Sequence, residues 1–179
     1  GNSDEFVIKL DKNLNILWVI PIGSQYKDVL NDINLDSEGN IYVAGLTTTK
    51  YSYPDNTYET FLIKLSPESN VLWEKRGVTN SKAYTKSILI DQEDNCYWVS
   101  LGDSINFNDD HPINSSTDTN GGFIIKYSPD SEWLNSIILS PIIGAHLDEQ
   151  NLYIVETVKH DSTFGINTVK YHLDFEVIW

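Results

Sequence analysis

Phe6-Val7-Ile8-Lys9-Leu10 returns as Phe61-Leu62-Ile63-Lys64-Leu65 and again as Phe123-Ile124-Ile125-Lys126-Tyr127, with a weaker fourth copy in Asn167-Thr168-Val169-Lys170-Tyr171. The lysine-to-tryptophan spacing is the same from Lys9 to Trp18, from Lys64 to Trp73 and from Lys170 to Trp179; in the third copy the tryptophan, Trp133, comes two positions early. Between these copies lies a second recurring pair of segments. Ile33-Asn34-Leu35-Asp36 matches Ile88-Leu89-Ile90-Asp91 and Ala145-His146-Leu147-Asp148. Each is followed by a turn and an apolar run: Ile41-Tyr42-Val43-Ala44, Cys96-Tyr97-Trp98-Val99 and Leu152-Tyr153-Ile154-Val155. Short runs of Ile, Val, Tyr, Trp and Phe bounded by Gly, Asn, Asp, Ser and Pro read as strands joined by turns. Gly39 supplies the positive φ that the Ser37–Asn40 hairpin demands, and Pro67 and Pro129 preset φ early in two further turns.

The second strand of each pair is apolar at consecutive positions, so both of its faces are expected to be buried, which a lone two-layer sandwich does not require. Radially packed four-stranded sheets do require it. The expected fold is all-β: a β-propeller arc of about three four-stranded antiparallel blades plus an N-terminal outer hairpin, forming part of a larger propeller. The chain reads as a single region with repeat units at approximately 6–28 (partial), 29–79, 84–139 and 143–179. With strands A to D ordered from the channel outward, that makes about fourteen strands, not a multiple of four. Stacked repeats need neighbours to cover their faces, so the open ends call for further blades or for self-association. The sequence contains no methionine, so residue 1 is expected to follow a cut.

Three stretches carry a family resemblance: FLIKLSPESNVLWEKRG from Phe61, INLDSEGNIYVAGLTTTKYSYP from Ile33 and GGFIIKYSPD from Gly121. They resemble the bacterial SBBP β-propeller repeat, which joins an apolar-Lys-Leu strand, a Trp strand, an Asp-x-x-Gly-Asn turn and a Tyr-Val-x-Gly strand. The resemblance runs from Phe6 to Trp179. The third unit departs from it, with Glu149-Gln150-Asn151 in place of the glycine-bearing turn and Glu156 in place of the glycine after strand B. The resemblance implies a secreted or cell-surface bacterial protein, placed in the extracellular space or cell envelope, and implies no catalytic residues. A weaker similarity to quinoprotein-type propellers lacks their acidic-Gly-Lys pattern before the tryptophan.

The 179 residues carry 12 Lys+Arg against 26 Asp+Glu, a formal charge of −14. That balance argues against nucleic acid and anionic membrane surfaces, both of which are bound through Lys and Arg. The longest apolar stretch, Ile16 to Ile20, stops at Pro21, so no bilayer-spanning segment is expected. Cys96 is the one cysteine and has no partner for an internal disulfide.

Strand direction alternates, so A–B and C–D turns leave one side of the disc and B–C and D–A loops leave the other. The first set is short and uniform. The second is long and variable: Thr47–Thr60, Gly102–Gly122 and Lys159–Gly165 for B–C, with Gly23–Lys27 and Gly77–Ala83 for D–A. Variation confined to one side marks the expected binding face. The candidate contacts for a protein or glycan partner are Tyr51, Tyr53 and Tyr58 in the first loop and Phe107 and His111 in the second, alongside Asn108, Asp109 and Asp110. The alternative is that these loops are solvated connectors whose tyrosines pack on their own blade.

Asn106, Asn108, Asp109, Asp110, Asn114 and Asp118 offer hard oxygen ligands of the kind calcium takes, without matching the EF-hand pattern. Asp36, Asp91 and Asp148 end the three A strands; they either cap their own turns or contribute to an acidic ring, with capping the commoner use. No metal or cofactor is assigned. The repeated lysines are expected to lie along apolar neighbours with the amine reaching a carboxylate or water, and Trp18, Trp73 and Trp179 to pack between blades. Cys96 is expected to be a buried, inert thiol. No phosphate loop, HExxH or nucleophile elbow occurs. The reading is a non-enzymatic scaffold or binding module; the alternative is an arc of an enzymatic or quinoprotein-like propeller whose site needs further blades.

Overall fold

A computed structural model describes residues 5–25, 27–50, 57–79, 83–102, 104–107, 113–114, 121–160 and 163–179. Among these residues every regular element is a strand, and all pairs are antiparallel. The N-terminal hairpin is β1 (Glu5–Leu10) and β2 (Ile16–Ile22). The first full blade is β3 (Asp28–Leu35), β4 (Ile41–Lys50), β5 (Thr57–Leu65) and β6 (Val71–Thr79). The second contains β7 (Tyr84–Ile90), β8 (Cys96–Leu101), β11 (Gly122–Tyr127) and β12 (Trp133–Leu139), with β9 (Ser104–Phe107) and β10 (Ile113–Asn114) inserted between β8 and β11. The third is β13 (Ile142–Leu147), β14 (Asn151–His160) and β15 (Thr163–His172). The inner strands β3, β7 and β13 approach one another across the blade boundaries. Asn34 Nδ2 donates to the Ile88 carbonyl (2.8 Å) and Ile88 N–H to Asp32 Oδ2 (2.7 Å), tying β3 to β7.

Side chains of a strand alternate between faces, and here each face meets a different blade. Tyr42, Ala44 and Leu62 join Cys96, Trp98, Phe123, Ile125 and Tyr127 in the core between the first and second blades. Their neighbours Ile41, Val43, Phe61, Ile63 and Leu65 point the other way, onto Val7 and Ile22 of the hairpin. Tyr97, Val99 and Ile124 meet Ile142, Leu152, Ile154 and Tyr171 of the third blade. Consecutive apolar residues in the B and C strands therefore serve two interblade cores, as their patterning predicts. Each such side chain, taken fully out of water, contributes about 1.5–3 kcal/mol.

Six of the turns share one geometry, and the Asp148–Asn151 turn departs from it with a closure one residue shorter. Five-residue turns begin at Asp11, Asp36, Ser66, Asp91, Ser128 and His172, each closed by a bond from the first N–H to the fifth carbonyl and from the fourth N–H back to the first carbonyl. The fourth residue has φ near +60° to +80° in all six: Leu14, Gly39, Ser69, Asp94, Ser131 and Phe175. A type I turn followed by a left-handed residue joins antiparallel strands with matching twist. Glycine suits that position best, yet only Gly39 supplies it, so the turn geometry outlasts the glycine signal that marks it in sequence.

Three expectations need correction. Val177–Trp179 is not a regular fourth strand of the third blade, although it lies along β15 through an isolated bridge between Tyr171 and Val177 and main-chain hydrogen bonds between Lys170 and both Ile178 and Trp179. Trp179 is exposed rather than packed between blades, because no further turn meets its indole among the described residues. Lys159 and Gly165 lie within β14 and β15, whose pairing runs to His160↔Thr163, so this connection is a hairpin tip and not a long loop.

Candidate interaction surfaces

On the turn side, repeated polar residues are committed to a lock between blades. Asp36 Oδ1 accepts from the N–H groups of Glu38 (3.1 Å) and Asn40 (2.8 Å), while Oδ2 accepts from Asn40 Nδ2 (2.9 Å). Asp91 repeats this arrangement with Glu93 and Asn95, and Asp148 repeats it with Gln150 and Asn151. These carboxylates cap their turns, the commoner use of an aspartate at that position. The strand-C lysine then arrives: Lys64 Nζ lies 3.0 Å from Asp36 Oδ2 and Lys126 Nζ 3.4 Å from Asp91 Oδ2. Across each hairpin the lysine faces a tyrosine, giving the pairs Lys64–Tyr42, Lys126–Tyr97 and Lys170–Tyr153, with the amine 5.0, 4.9 and 5.4 Å from the ring centre.

The same lysines reach across to the next blade. Lys9 Nζ and Trp18 Nε1 both donate to the Pro67 carbonyl (2.8 and 3.1 Å), and Lys64 Nζ and Trp73 Nε1 both donate to Pro129 (3.2 and 2.9 Å). In the next unit Lys126 Nζ donates to Leu173, and Asn135, paired across from Lys126, replaces the tryptophan by donating Nδ2 to Asp174 (2.9 Å). The displaced Trp133 packs instead on Tyr127 and Phe107. Trp18 and Trp73 thus join blades by a hydrogen bond as well as by packing.

Burial pushes the Asp36 carboxyl up, but hydrogen bonds from Asn40 and Lys64 outweigh it and leave the pKa below its ordinary value. Asp148 is held at about 2 by the Gln150 N–H and the Tyr153 hydroxyl, with the Asn151 donors, which together outweigh the opposing effect of desolvation. A depressed carboxylate pKa adds stability above the unfolded value, near pH 4, and loses it as pH falls through the folded value. Acid unfolding is accordingly expected to steepen between about pH 4 and pH 2. Asp148→Asn should flatten that part of a stability-versus-pH curve; an unchanged slope would show that Asp148 is not one of the groups responsible.

Around this lock Asp36, Glu38, Asp94 and Asp130 line a cleft of about 700 Å³ with Lys64 and Trp73. Asp94 is engaged across the blade boundary, accepting from Ser37 N–H (2.8 Å) and Ser37 Oγ (2.6 Å). Its counterparts in sequence are turn residues, and nothing in their spacing shows that adjacent A–B turns touch.

The loop side carries the residues singled out as partner contacts. Tyr58 is half-buried in β5, opposite Thr79. Beside it Arg76 pairs with Glu59 and Glu74. Tyr51, Tyr53 and His111 lie outside the described residues, as do Asn108, Asp109, Asp110 and Asp118 of the calcium candidates. Phe107 is corrected: it is 2% exposed, within a core cluster with Trp98, Phe123 and Trp133 at ring-centre distances of 5.7, 6.5 and 5.8 Å. The cause is β9, which leaves its own blade and pairs with β6 of the preceding one, Gly77↔Phe107 and Val78↔Asn106. Within the Gly102–Gly122 segment, expected to be a long variable loop, β9 and β10 thereby widen the first full blade. Of the D–A loops, Gly23–Lys27 is pinned by Asp28, which is 1% exposed and accepts from Ser24 N–H (2.8 Å). In the third blade Glu156, standing where the repeat has glycine, is buried and accepts from Ser140 N–H (3.2 Å) in the corresponding D–A connection.

Cys96 is fully buried, and burial pushes its thiol well above the ordinary range. His146 is exposed on β13, paired across from Tyr153.

Sheets stacked radially, with inner strands converging and two-faced cores between them, define an arc of a β-propeller. A family model for the SBBP beta-propeller repeat matches residues 18–51, which run from the tryptophan strand through the A–B hairpin. The chain is also 27% identical over 116 residues to an uncharacterized WD repeat-containing protein, L264, of Acanthamoeba polyphaga mimivirus, covering 54% of this chain and 8% of that protein. The chain therefore spans a small fraction of the length of this relative. Both likenesses support a propeller scaffold or binding module.

Proposed function

We propose that this chain is a non-enzymatic scaffold of a secreted or cell-surface bacterial protein, recognising a protein or glycan partner through its loop face. The observation that carries the reading is the asymmetry between the two sides. On the turn side six connections share one geometry, and their aspartates, lysines and tryptophans serve the locks between blades. Departures from the repeat accumulate on the other side: an inserted β9 in one blade, a tight hairpin in another, and the tyrosine-bearing segment between β4 and β5. Repeat scaffolds commonly bind through the side on which insertions collect, and tyrosine supplies contact area at low entropic cost.

Glycan arrays and a panel of purified surface proteins, probed with this chain and with a Tyr51→Ala/Tyr53→Ala/His111→Ala variant, test the reading. The expected result is a partner whose binding falls at least tenfold in the variant while the melting temperature stays unchanged. Partners that bind both proteins equally well, or no partner at all across both panels, would overturn it.

A further inference from the structure

The N-terminal hairpin presents an edge that its counterparts do not. Strand β1 pairs with β2, and no strand pairs with its other edge among the described residues. Phe6 and Ile8 are 55% and 41% exposed; Phe61 and Ile63, their equivalents in β5, are 1% and 5% exposed, and Phe123 and Ile125 in β11 are 0%. Those copies are covered by the preceding sheet together with their own B strand, Phe61 and Ile63 by Val7 and Ile22 with Ile41 and Val43, and Phe123 and Ile125 by Tyr42, Ala44 and Leu62 with Trp98. In front of β1 lies instead a groove of about 810 Å³, apolar along Ile8, Leu10, Ile33 and Leu35 and ending at Lys9 and Trp18.

We propose that this groove is a docking slot for an antiparallel β-hairpin from a partner segment, whose chemistry the chain's own filled slots specify. Three registers agree on it. The residue facing the lysine across the hairpin is tyrosine at Tyr42, Tyr97 and Tyr153. The residue facing the strand-C phenylalanine is small, Gly45 opposite Phe61 and Ser100 opposite Phe123. At Gly45 an added Cβ would run into the Val29 carbonyl of the neighbouring strand and would lie 2.8 Å from Phe61 Cζ, so backbone and phenylalanine together leave no room for a side chain. The turn before the tyrosine opens with an aspartate that reaches the lysine, as Asp36 does to Lys64 and Asp91 to Lys126.

Charge complementarity makes the same point. Lys9 has the carbonyl partner its counterparts have, Pro67, and the ring of Trp18 at 6.0 Å. It lacks a carboxylate partner among the described residues, whereas Lys64 and Lys126 each have one. The docked hairpin supplies that carboxylate from its turn and a tyrosine ring over the amine. Its inner strand lies against β3 and covers Ile33, 53% exposed, as the equivalent Ile88 is covered to 1% in the second blade. Main-chain pairing to β1 gives affinity, and the Asp, Tyr and small-residue positions give selectivity.

The probe is a backbone-cyclised peptide carrying residues 28–47 of this chain, cyclised because an isolated hairpin is marginal in water. It is titrated into the intact protein by fluorescence anisotropy. Saturable binding is expected, weakened at least tenfold when the peptide carries Asp36→Asn and Tyr42→Ala. The same peptide change should have little further effect on binding to Lys9→Met protein, because the partner of the aspartate is already gone. Equal binding of native and substituted peptides to the native protein would overturn the proposal. So would a protein that light scattering shows to be a dimer and whose mass the peptide leaves unchanged, since a second copy would then occupy the slot. The peptide substitutions leave the protein untouched, so loss of fold cannot imitate the expected result.

Discussion

Asp36→Ala is expected to lower stability by about 3–5 kcal/mol, the cost of leaving a buried charge without its counter-ion. Lys64 and Asp36 have side chains 6% and 1% exposed and lie 3.0 Å apart. With the carboxylate removed, the amine keeps only the Pro129 carbonyl and the Tyr42 ring. Neither carries a compensating charge. The turn loses three hydrogen bonds at the same time. Two further variants separate these contributions. Asp36→Asn retains acceptors for the turn but discards the charge, so it should lie between native and alanine. Asp36→Asn/Lys64→Met removes both charges and should recover much of the loss, since apolar replacement of a buried pair is often neutral. Asp148, exposed and without a lysine salt bridge among the described residues, provides the contrast. Urea unfolding of the series would sink the argument if Asp36→Ala proved no costlier than Asp148→Ala.

The lock explains which parts of the molecule could be read from sequence. Lys64, Trp73, Asp36 and Tyr42 recur because each blade must solve the same local problem: close a turn, cover a face and grip the next turn. Repetition of a problem leaves repetition in the sequence, so the blades, their order and their two-faced B strands were legible from spacing alone. The capping role of the aspartates was legible too, because it depends on neighbours a few residues away. Contacts between elements distant in sequence were not. The Ser37–Asp94 bonds join turns of different blades, and neither residue has a chemical signature apart from belonging to a turn. The substitution of Asn135 for tryptophan preserves a donor rather than a residue type, so a search for tryptophan settles on Trp133 and misses it. For the candidate surface the limit was sharper. Variable loops were inferred by subtraction from the repeat, and subtraction cannot distinguish a free segment from one that pairs with a neighbouring blade. Tyr58 and Phe107 fell into the same set for that reason, although one belongs to β5 and the other to an added edge strand.

Phe107→Ala should accordingly behave as a core truncation, with a cost of about 3–5 kcal/mol. The side chain is enclosed by Trp98, Phe123 and Trp133, and it lies opposite Gly77 in the register of β9 on β6. Gly77 has no side chain to fill that place; a Cβ there would lie 2.8 Å from the Phe107 ring. The aromatic ring thus covers a glycine on the strand that its own strand extends, a known device for fixing register. A residue making only an exposed partner contact would behave differently, since surface substitutions usually change stability by less than about 0.5 kcal/mol. Gly77→Ala tests the same packing from the other side and should also destabilise, because its Cβ would run into Ile105 as well as displacing the Phe107 ring. Hydrogen exchange at Val78, next to Gly77 in the β6–β9 register, adds a local readout of the edge. If Phe107→Ala leaves the global unfolding free energy unchanged and loosens only the β6 edge, β9 is a detachable strand and Phe107 regains a claim as a contact residue. If global stability falls with it, the inserted segment is part of the blade core, and the search for partner contacts belongs with Tyr51, Tyr53 and His111.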